Sequence, residues 1–311
     1  MASTPTMDGK SWLMLMILSI IWAGSFLLTE IALEELPPLA IMTARVTIGA
    51  MGLYGMMLIA GVGFPGRDQA APLKLLGAFM VLGVLNNVIP FSVLVWGQTH
   101  MSASLASILN ATMPLFTVIL AHYFTLDEKI TPNKLIGVLI GIGGVAVIVG
   151  EHGIDFSSGS NFAKIAILGA PLSYAVAALI ARRFARWQLS PLFVAFGQSA
   201  AASVVALPLT TIVENPWGIS VSASGWASLI ALGLFCSSVA YLIYFRLIAT
   251  AGATNTSLIT LTIPPFAVVS GVLLLGESLS LAQVAGMALI LFGLLVTDGR
   301  LKLGSRGKAR A

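Results

Sequence analysis

The sequence predicts an all-α integral membrane protein in which ten transmembrane helices form two inverted five-helix repeats around a central cavity. Of its 311 residues, 58% are hydrophobic and 9% are charged, whereas soluble domains carry roughly 25% charged residues. Apolar runs of about 20 residues recur along the chain, and each is long enough to cross a hydrocarbon core of roughly 30 Å. Two similar segments that lie far apart in the sequence also indicate an internal duplication.

Ten apolar spans account for most of the chain, and turn-forming residues separate several of them. The first span follows a single cation, Lys10, and has no Ala-x-Ala cleavage site, so we interpret it as a helix rather than a signal peptide. Pro65-Gly66 and Asn215-Pro216 are typical of tight connections. The predicted helices are Ser11–Thr29, Pro38–Gly61, Pro72–Trp96, Ala103–Ala121, Asn133–Val149, Phe162–Ala181, Pro191–Val213, Trp226–Ile248, Ala253–Leu275 and Leu281–Thr297.

The duplication is clearest around two prolines, because Ala103–Ala121 and Ala253–Gly271 share six residues at an offset of 150 positions. Five spans per half is an odd number, so the second copy must cross the membrane in the opposite direction, with a site between the halves. We assign residues 11–149 and 162–297 to the repeats and residues 298–311 to a basic tail. After a slip of one position a glutamate and two glycines also coincide, as Glu128/Glu277, Gly137/Gly286 and Gly144/Gly293. The glycines of the fifth span, Gly137, Gly141 and Gly144, are spaced for close helix packing.

Basic residues lie almost entirely on one side of the predicted spans. Fourteen of the 16 lysines and arginines fall on the side that holds both chain ends, whereas Lys164 falls on the other. Cytoplasmic loops of membrane proteins carry an excess of Lys and Arg. The distribution predicts cytoplasmic termini for a multi-pass protein of the bacterial inner membrane, with the lipid bilayer as a partner.

Asn110 and Thr260 occupy matching positions, each four residues before a proline, Pro114 or Pro264. A proline lacks the N–H that would bond the carbonyl four residues earlier, and in hydrocarbon that carbonyl needs another partner. We therefore expect both positions to offer a free carbonyl and a polar side chain to a substrate. The alternative is that the prolines kink their helices while the two polar side chains hydrogen-bond locally.

Arg45 is the one cation well inside a predicted span, and an ionisable residue there is a functional candidate by default. Its guanidinium could bind a substrate carboxylate, pair with carbonyls at a helix C-terminus, or extend towards the membrane surface. Its repeat counterpart is Gln198, so the charge is not a symmetric requirement. We assign a structural or gating role to Arg45, to the two prolines, and to the glutamates that close the fourth and ninth helices: Pro114, Pro264, Glu128 and Glu277.

Three aromatic residues lie near the middle of their spans, where lining a cavity competes with packing against lipid. Two of them correspond across the repeat, and a tyrosine hydroxyl in hydrocarbon needs a partner. Asn86 and Asn87 are adjacent, and since neighbouring helical residues diverge by about 100°, we expect one of them, Asn86, to face the cavity. The candidate substrate-binding residues are Trp22, Asn86, Asn110, Tyr174, Tyr241 and Thr260.

The residues that the predicted spans lack restrict the cargo. No Asp or Glu lies firmly inside a span, which argues against cationic drugs and against a proton relay at the midplane. One intramembrane cation is too few for sugar phosphates. The single Cys236 excludes an internal disulfide and a cysteine metal cluster, and we expect neither a metal nor a cofactor. The cargo that remains possible is a small, partly apolar molecule of net charge near zero, and a zwitterionic amino acid fits this description.

Trp22-Ala23-Gly24-Ser25-Phe26 resembles the Trp-x-x-Ser/Asn-Phe signature of the drug/metabolite transporter superfamily, EamA type. Arg45, the proline-containing helices and the pairs Glu128…Gly137 and Glu277…Gly286 are similar to the same family. The resemblance covers nearly the whole chain as two five-helix units. It implies a ten-helix basket with a central cavity that exports metabolites, and the branch that looks most similar exports aromatic amino acids.

The residues and the resemblance lead to an exporter of neutral, aromatic amino acids that works by alternating access, as a facilitator without a midplane proton relay. The alternative within transport is a broad-specificity exporter of metabolites or xenobiotics. An intramembrane enzyme is the rival from another class, but the chain has no His-Glu-x-x-His, no paired intramembrane aspartates and no Gly-x-Ser-x-Gly. We expect a monomer that has no enzyme activity and no nucleic-acid partner.

Overall fold

The computed structural model describes residues 7–66, 71–125, 129–151 and 160–299, which form helices joined by short turns, with no strand in these ranges. Eight helical segments are long and apolar enough to cross a membrane. Two shorter apolar helices, Ile259–Leu275 and Leu281–Thr297, bring the number of spans to ten. The predicted all-α membrane fold is therefore confirmed.

We label the spans α1 to α10 in chain order. They are α1 (Gly9–Leu33), α2 (Pro38–Ile59), α3 (Pro72–Gln98), α4 (Ala103–Phe124), α5 (Pro132–Val149), α6 (Asn161–Ala181), α7 (Pro191–Val213), α8 (Ala223–Ala251), α9 (Ile259–Leu275, after a short helix Ala253–Thr256) and α10 (Leu281–Thr297). Prolines stand in the first turn of α2, α3, α5 and α7, where the missing N–H would have no helical partner. We call the side of the bundle with both described chain ends the proximal face and the opposite side the distal face.

The fourth, sixth and ninth spans are interrupted, so the continuous helices predicted there are each two pieces; the helix of α6 stops at Ala166 and resumes at Gly169. The helix of α4 stops at Asn110 and resumes at Met113, with Pro114 in the first turn of the second piece, because a proline cannot donate to the preceding turn. In the ninth span the interruption lies between Thr256 and Ile259, and Pro264 lies inside the longer helix. By the repeat offset, the break comes four residues earlier in the second half.

A π-helical segment occurs at the same repeat position in α3 and in α8. The segments are Val84–Val88 and Leu234–Val239, and each directly follows a glycine, Gly83 or Gly233. A Cβ on Gly83 would lie 2.6 Å from a backbone oxygen of α7, and a Cβ on Gly233 would lie 2.5 Å from Ile48 of α2. The third helix of each half therefore packs on the second helix of the other half. Segments of π-helix frequently mark functional sites.

Glycine-to-glycine packing joins α5 of the first half to α10 of the second. A Cβ on Gly144 would lie 2.6 Å from the carbonyl oxygen of Gly286, and a Cβ on Gly293 would lie 2.6 Å from that of Gly137. Exchanging the halves converts one contact into the other, because Gly137 corresponds to Gly286 and Gly144 to Gly293. The contacts agree with the close packing and with the inverted relation that the sequence predicts.

We expect Gly144→Ala to lower the thermal unfolding midpoint in detergent, because its Cβ would overlap the α10 backbone and separate the helices. Such overpacking typically costs about 1–3 kcal/mol. Gly143→Ala is the matched control in α5, since a Cβ there meets no atom within 4 Å. The control should leave the midpoint unchanged or raise it slightly. Equal midpoints for the two variants would contradict this account of the interface.

Candidate functional site

Polar and aromatic side chains from five spans meet between the two halves. They come from α2, the π segment of α3, α6, α7 and the π segment and following turn of α8. We call this group the central cluster, and its members are Arg45, Asn86, Tyr174, Gln198, Ser237 and Tyr241. It lies where the sequence predicts a site between the repeats.

Two polar contacts across the halves are related by the repeat. Nδ2 of Asn86 donates to Oε1 of Gln198 over 2.9 Å. Nε of Arg45 lies 3.5 Å from the hydroxyl oxygen of Ser237. Arg45 and Gln198 are repeat counterparts, so in each contact the second helix of one half reaches the π segment of the other. The same framework thus holds a cation at one position and a neutral amide at its mirror position.

The Arg45 guanidinium is buried with few protein partners. Arg45 is 9% exposed, and its guanidinium carbon lies 4.0 Å from the centroid of the Phe91 ring, which is a cation–π contact. Within the described ranges, Arg45 has no carboxylate partner and no backbone carbonyl partner. The residue neither caps a helix C-terminus nor extends to the membrane surface, which were two of the three alternatives that the sequence left open.

Trp22 bridges the first span to the π segment of the other half. Its indole Nε1 donates to the carbonyl oxygen of Cys236 over 3.2 Å. Its ring lies 5.6 Å from the ring of Tyr244, measured between centroids. The indole N–H is therefore already bonded within the protein, and the ring face is what remains to contact a ligand.

The two candidate tyrosines contact different parts of the central cluster. The Tyr174 ring packs at 6.5 Å from the Phe91 ring, on which Arg45 also rests. The Tyr241 side chain interacts with Asn86 and Gln198. Phe91 therefore contacts both Arg45 and Tyr174, whereas Tyr241 lies at the pair formed by Asn86 and Gln198.

The two residues that precede the prolines have different surroundings. Oδ1 of Asn110 is buried and has no hydrogen-bond partner among the described residues, so this oxygen is an unused acceptor. The hydroxyl of Thr260 donates to the carbonyl of Ser257 over 2.7 Å, which is the local bonding expected if this residue supports the kink. No described contact links Thr260 to the central cluster. The symmetry of the sequence pattern does not extend to the side-chain bonding.

Three residues that contact the candidate site residues were not predicted as binding residues from the sequence, although one of them, Gln198, is the repeat counterpart of Arg45. Ser237 and Phe91 contact Arg45, and Gln198 contacts Asn86. A usable signal existed for Ser237, which matches Asn87 at the repeat offset of 150. Nothing in the pattern identifies Phe91, because an aromatic ring inside an apolar span is ordinary.

An open groove beside the cluster has a different character. It lies between α2 and α7, has a volume of about 330 Å³, and is lined mainly by apolar atoms of residues such as Met51, Tyr54 and Phe196. Met51 and Tyr54 are exposed, as expected for a surface that faces acyl chains. The central cluster is therefore the better candidate for a polar ligand.

Three glutamates tie the halves together at the distal face. Glu277 accepts from the N–H groups of Ala103 (2.8 Å) and Ser104 (3.1 Å) and from the Ser104 hydroxyl, at the start of α4. Glu214 accepts from the N–H groups of the first turn of α2, both at 2.9 Å, and Glu35 accepts from the N–H (2.6 Å) and hydroxyl of Ser222, which caps α8. Each carboxylate lies at a helix N-terminus of the opposite half, where the unpaired N–H groups and the helix dipole favour a negative charge.

Among the residues assigned a structural or gating role, Glu277 thus connects the halves. Its counterpart Glu128 lies outside the described residues. Pro114 and Pro264 lie at or within the helices that follow the interruptions of the fourth and ninth spans. Arg45 belongs to the central cluster.

We expect Glu277→Gln to weaken the distal contact, because the neutral amide has one acceptor oxygen in place of two and loses the charge–dipole attraction. Hydrogen bonds to charged groups contribute about 1.5–3 kcal/mol, so the thermal unfolding midpoint in detergent should fall. Glu34→Gln is the control, because the Glu34 side chain is exposed on the same face and forms no described hydrogen bond. If both variants unfold at the wild-type temperature, Glu277 does not stabilise the distal face.

We expect acid to weaken the contact between Glu35 and Ser222. Hydrogen bonds from the Ser222 hydroxyl, and then from its N–H, hold the pKa of Glu35 below its ordinary value. A depressed pKa stabilises the folded state above the ordinary glutamate value of about 4.3, and this stabilisation is lost as the pH falls through the folded-state pKa. The hydrogen-exchange protection factors at the start of α8, which are corrected for the intrinsic exchange rate, should therefore fall as the pH is lowered from about 5 to about 3. In Glu35→Gln the protection at these amides should be low and should not change over this pH range; equal pH profiles of protection for both proteins would contradict the assignment.

Comparisons with known proteins agree with this architecture. The chain matches the EamA-like transporter family over residues 10–150 and 161–297. It is 27% identical to an uncharacterized transporter of Archaeoglobus fulgidus, covering 92% of this chain and 98% of the relative, and 26% identical to the uncharacterized inner membrane transporter YedA of Escherichia coli K12, covering 92% and 90%. It is also 26% identical to a probable terminal-alkyne amino-acid exporter of Streptantibioticus cattleyicolor, covering 95% of each chain.

A solved structure described as a crystal structure of protein superposes with a TM-score of 0.67 at 20% identity, covering 94% of this chain and 99% of that one. That likeness supports the fold alone. The family match covers nearly all of the described helices. The chain therefore belongs to the EamA-like transporter family and is a multi-pass integral membrane protein.

Proposed function

We propose that this transporter exports neutral, aromatic amino acids across the bacterial inner membrane by alternating access. The observation that carries the proposal is the composition of the central cluster, which holds one cation, neutral amides and hydroxyls, and aromatic rings, but no carboxylate. A zwitterion with an apolar ring presents complementary groups. Without a carboxylate in the cluster, the usual proton acceptor of coupled exporters is missing there, which supports a facilitator.

Two resemblances support this choice of cargo within the family. One relative is named as a probable terminal-alkyne amino-acid exporter, and terminal-alkyne amino acids are also small zwitterions with an apolar side chain. The motifs of the chain resemble those of the aromatic amino-acid exporter YddG. Fold alone would not select a cargo, because one fold carries many substrates.

The proposed binding residues divide by chemistry. The rings of Trp22, Tyr174 and Tyr241 would contact the aromatic side chain of the substrate. The amides of Asn86 and Asn110, with the Asn110 carbonyl released by Pro114, would bind its polar groups. Thr260 would contribute through the carbonyl that Pro264 releases, since its hydroxyl is bonded locally.

The prolines and the paired glutamates would accommodate the change between inward-facing and outward-facing states. Pro114 and Pro264 provide the kinks, and Glu277 and its counterpart Glu128 would act at opposite faces. We further propose that both termini are cytoplasmic and that the protein acts as a monomer on a small-molecule substrate, without a cofactor, without a nucleic-acid partner and without enzyme activity.

A broad-specificity exporter of metabolites or xenobiotics is the second candidate. Among the described residues, three buried polar atoms have no hydrogen-bond partner, namely Asn87 Nδ2, Ser92 Oγ and Ser107 Oγ; the amide could donate to, and the hydroxyls could donate to or accept from, polar groups of varied shape. Competition by chemically unrelated compounds would favour this candidate over a dedicated amino-acid exporter.

We expect proteoliposomes that contain the protein to take up labelled phenylalanine faster than alanine and without a proton gradient. Asn110→Leu should reduce phenylalanine uptake by about tenfold, because an unmade hydrogen bond in a buried site costs about 1–3 kcal/mol. Asn133→Leu, at the proximal end of α5, is the control and should leave uptake unchanged. Absence of transport for every amino acid would reject the cargo, and a requirement for a proton gradient would reject the facilitator mechanism.

A further inference from the structure

We propose that the Arg45 guanidinium binds the carboxylate of the cargo, so that the central cluster selects carboxylate-bearing substrates and orients them across the membrane. The inference rests on the proposed function and deepens it, because it identifies the recognised group and the residue that recognises it. It replaces the structural or gating role that the sequence pattern favours for Arg45.

The hydrogen-bonding capacity of Arg45 is largely unused by the protein. A guanidinium carries five N–H donors, and within the described residues one of them reaches a protein acceptor, Ser237 Oγ, at the long distance of 3.5 Å. The terminal nitrogens are not among the buried unpartnered atoms, so they remain accessible. A guanidinium bonds a carboxylate through two parallel N–H groups, which is the strongest complement that these free donors can receive.

The acidic residues nearest to the ends of the neighbouring spans are bonded elsewhere. Glu30, in the last turn of α1, accepts from Gln98 over 3.1 Å, and Glu214 and Glu35 bond helix N-termini at the distal face. Within the described residues, Arg45 forms no contact with a carboxylate. A buried cation costs free energy unless it is paired, and a carboxylate on the ligand would supply the pairing.

The difference between Arg45 and its repeat counterpart, Gln198, explains why a bound substrate would have a fixed orientation. Gln198 is neutral, and its side-chain oxygen already accepts from Asn86. Arg45 lies seven residues from the distal start of α2, and Gln198 lies seven residues from the proximal start of α7. At 1.5 Å per residue each lies about 10 Å from its own face. A bound zwitterion would therefore direct its carboxylate towards the distal side of the cluster.

The inference can be tested by ligand-induced thermal shifts and by uptake, using three probes that share one ring. L-phenylalanine carries both charged groups, 3-phenylpropionate carries the carboxylate alone, and phenethylamine carries the ammonium alone. We expect wild type to bind the two carboxylates more tightly than phenethylamine. Arg45→Gln should weaken binding of both carboxylates at least tenfold and leave phenethylamine unchanged, and Arg45→Lys should retain part of the preference.

The repeat offers a matched variant and a control. Exchanging the pair, as Arg45→Gln with Gln198→Arg, returns the cation to the cluster and should restore part of the carboxylate preference that Arg45→Gln loses. Arg246→Gln removes an exposed cation of α8 and should bind all probes as wild type does. If Arg45→Gln does not fold, wild type alone still tests the inference, because phenylalaninamide, which lacks the carboxylate, should bind at least tenfold more weakly than phenylalanine.

The outcomes separate this inference from the proposed function. Transport of phenylalanine by wild type and by Arg45→Gln with equal affinity would overturn the role of Arg45 and leave the proposed cargo intact. Arg45-dependent binding of 3-phenylpropionate without transport of any amino acid would reject the cargo and support the carboxylate site. Equal binding of phenylalanine and phenylalaninamide by wild type would also overturn the inference.

Discussion

The packing of the second helix of each half against the π-helical segment of the other half is the interaction on which the rest of the structure depends. Gly83 and Gly233 permit it, because any side chain at either position would overlap the facing helix. Without that close approach, Asn86 could not reach Gln198 and Arg45 could not reach Ser237. The candidate site is thus a direct consequence of two glycines that contribute no chemistry of their own.

The bilayer explains why the halves are joined in different ways at different depths. In the interior, contacts between the halves use glycine backbones, neutral amides and hydroxyls, since an unpaired carboxylate there would be costly. At the distal face, glutamates are stabilised by the N–H groups of helix N-termini and need no cationic partner. Such contacts can form and separate at the membrane surface without carrying a charge through hydrocarbon.

The sequence predicted the fold well and the site incompletely, for identifiable physical reasons. The number of spans and the close packing of the α5 glycines follow from apolar length and glycine spacing, which are local properties, whereas α10 as their partner comes from the tertiary structure. The π segments could not be predicted, because an inserted residue in a helix leaves no distinctive pattern in an apolar run. The repeat suggested equal roles for Asn110 and Thr260, but their bonding depends on where each helix breaks, and the breaks differ by four residues. Arg45 was recognised as unusual, yet its partners are set by tertiary packing.

The glycine contacts between α5 and α10 have one more consequence. Because Gly137 meets Gly293 while Gly144 meets Gly286, the interface is isologous, as in a symmetric dimer, although both surfaces belong to one chain. Each half therefore presents the same surface to the other. A substitution in one half alters only one of the two glycine contacts unless the corresponding residue of the other half is also substituted. Because the halves are linked in one chain, their sequences need not be identical. This freedom allows Arg45 in one half to correspond to Gln198 in the other, within an otherwise two-fold arrangement.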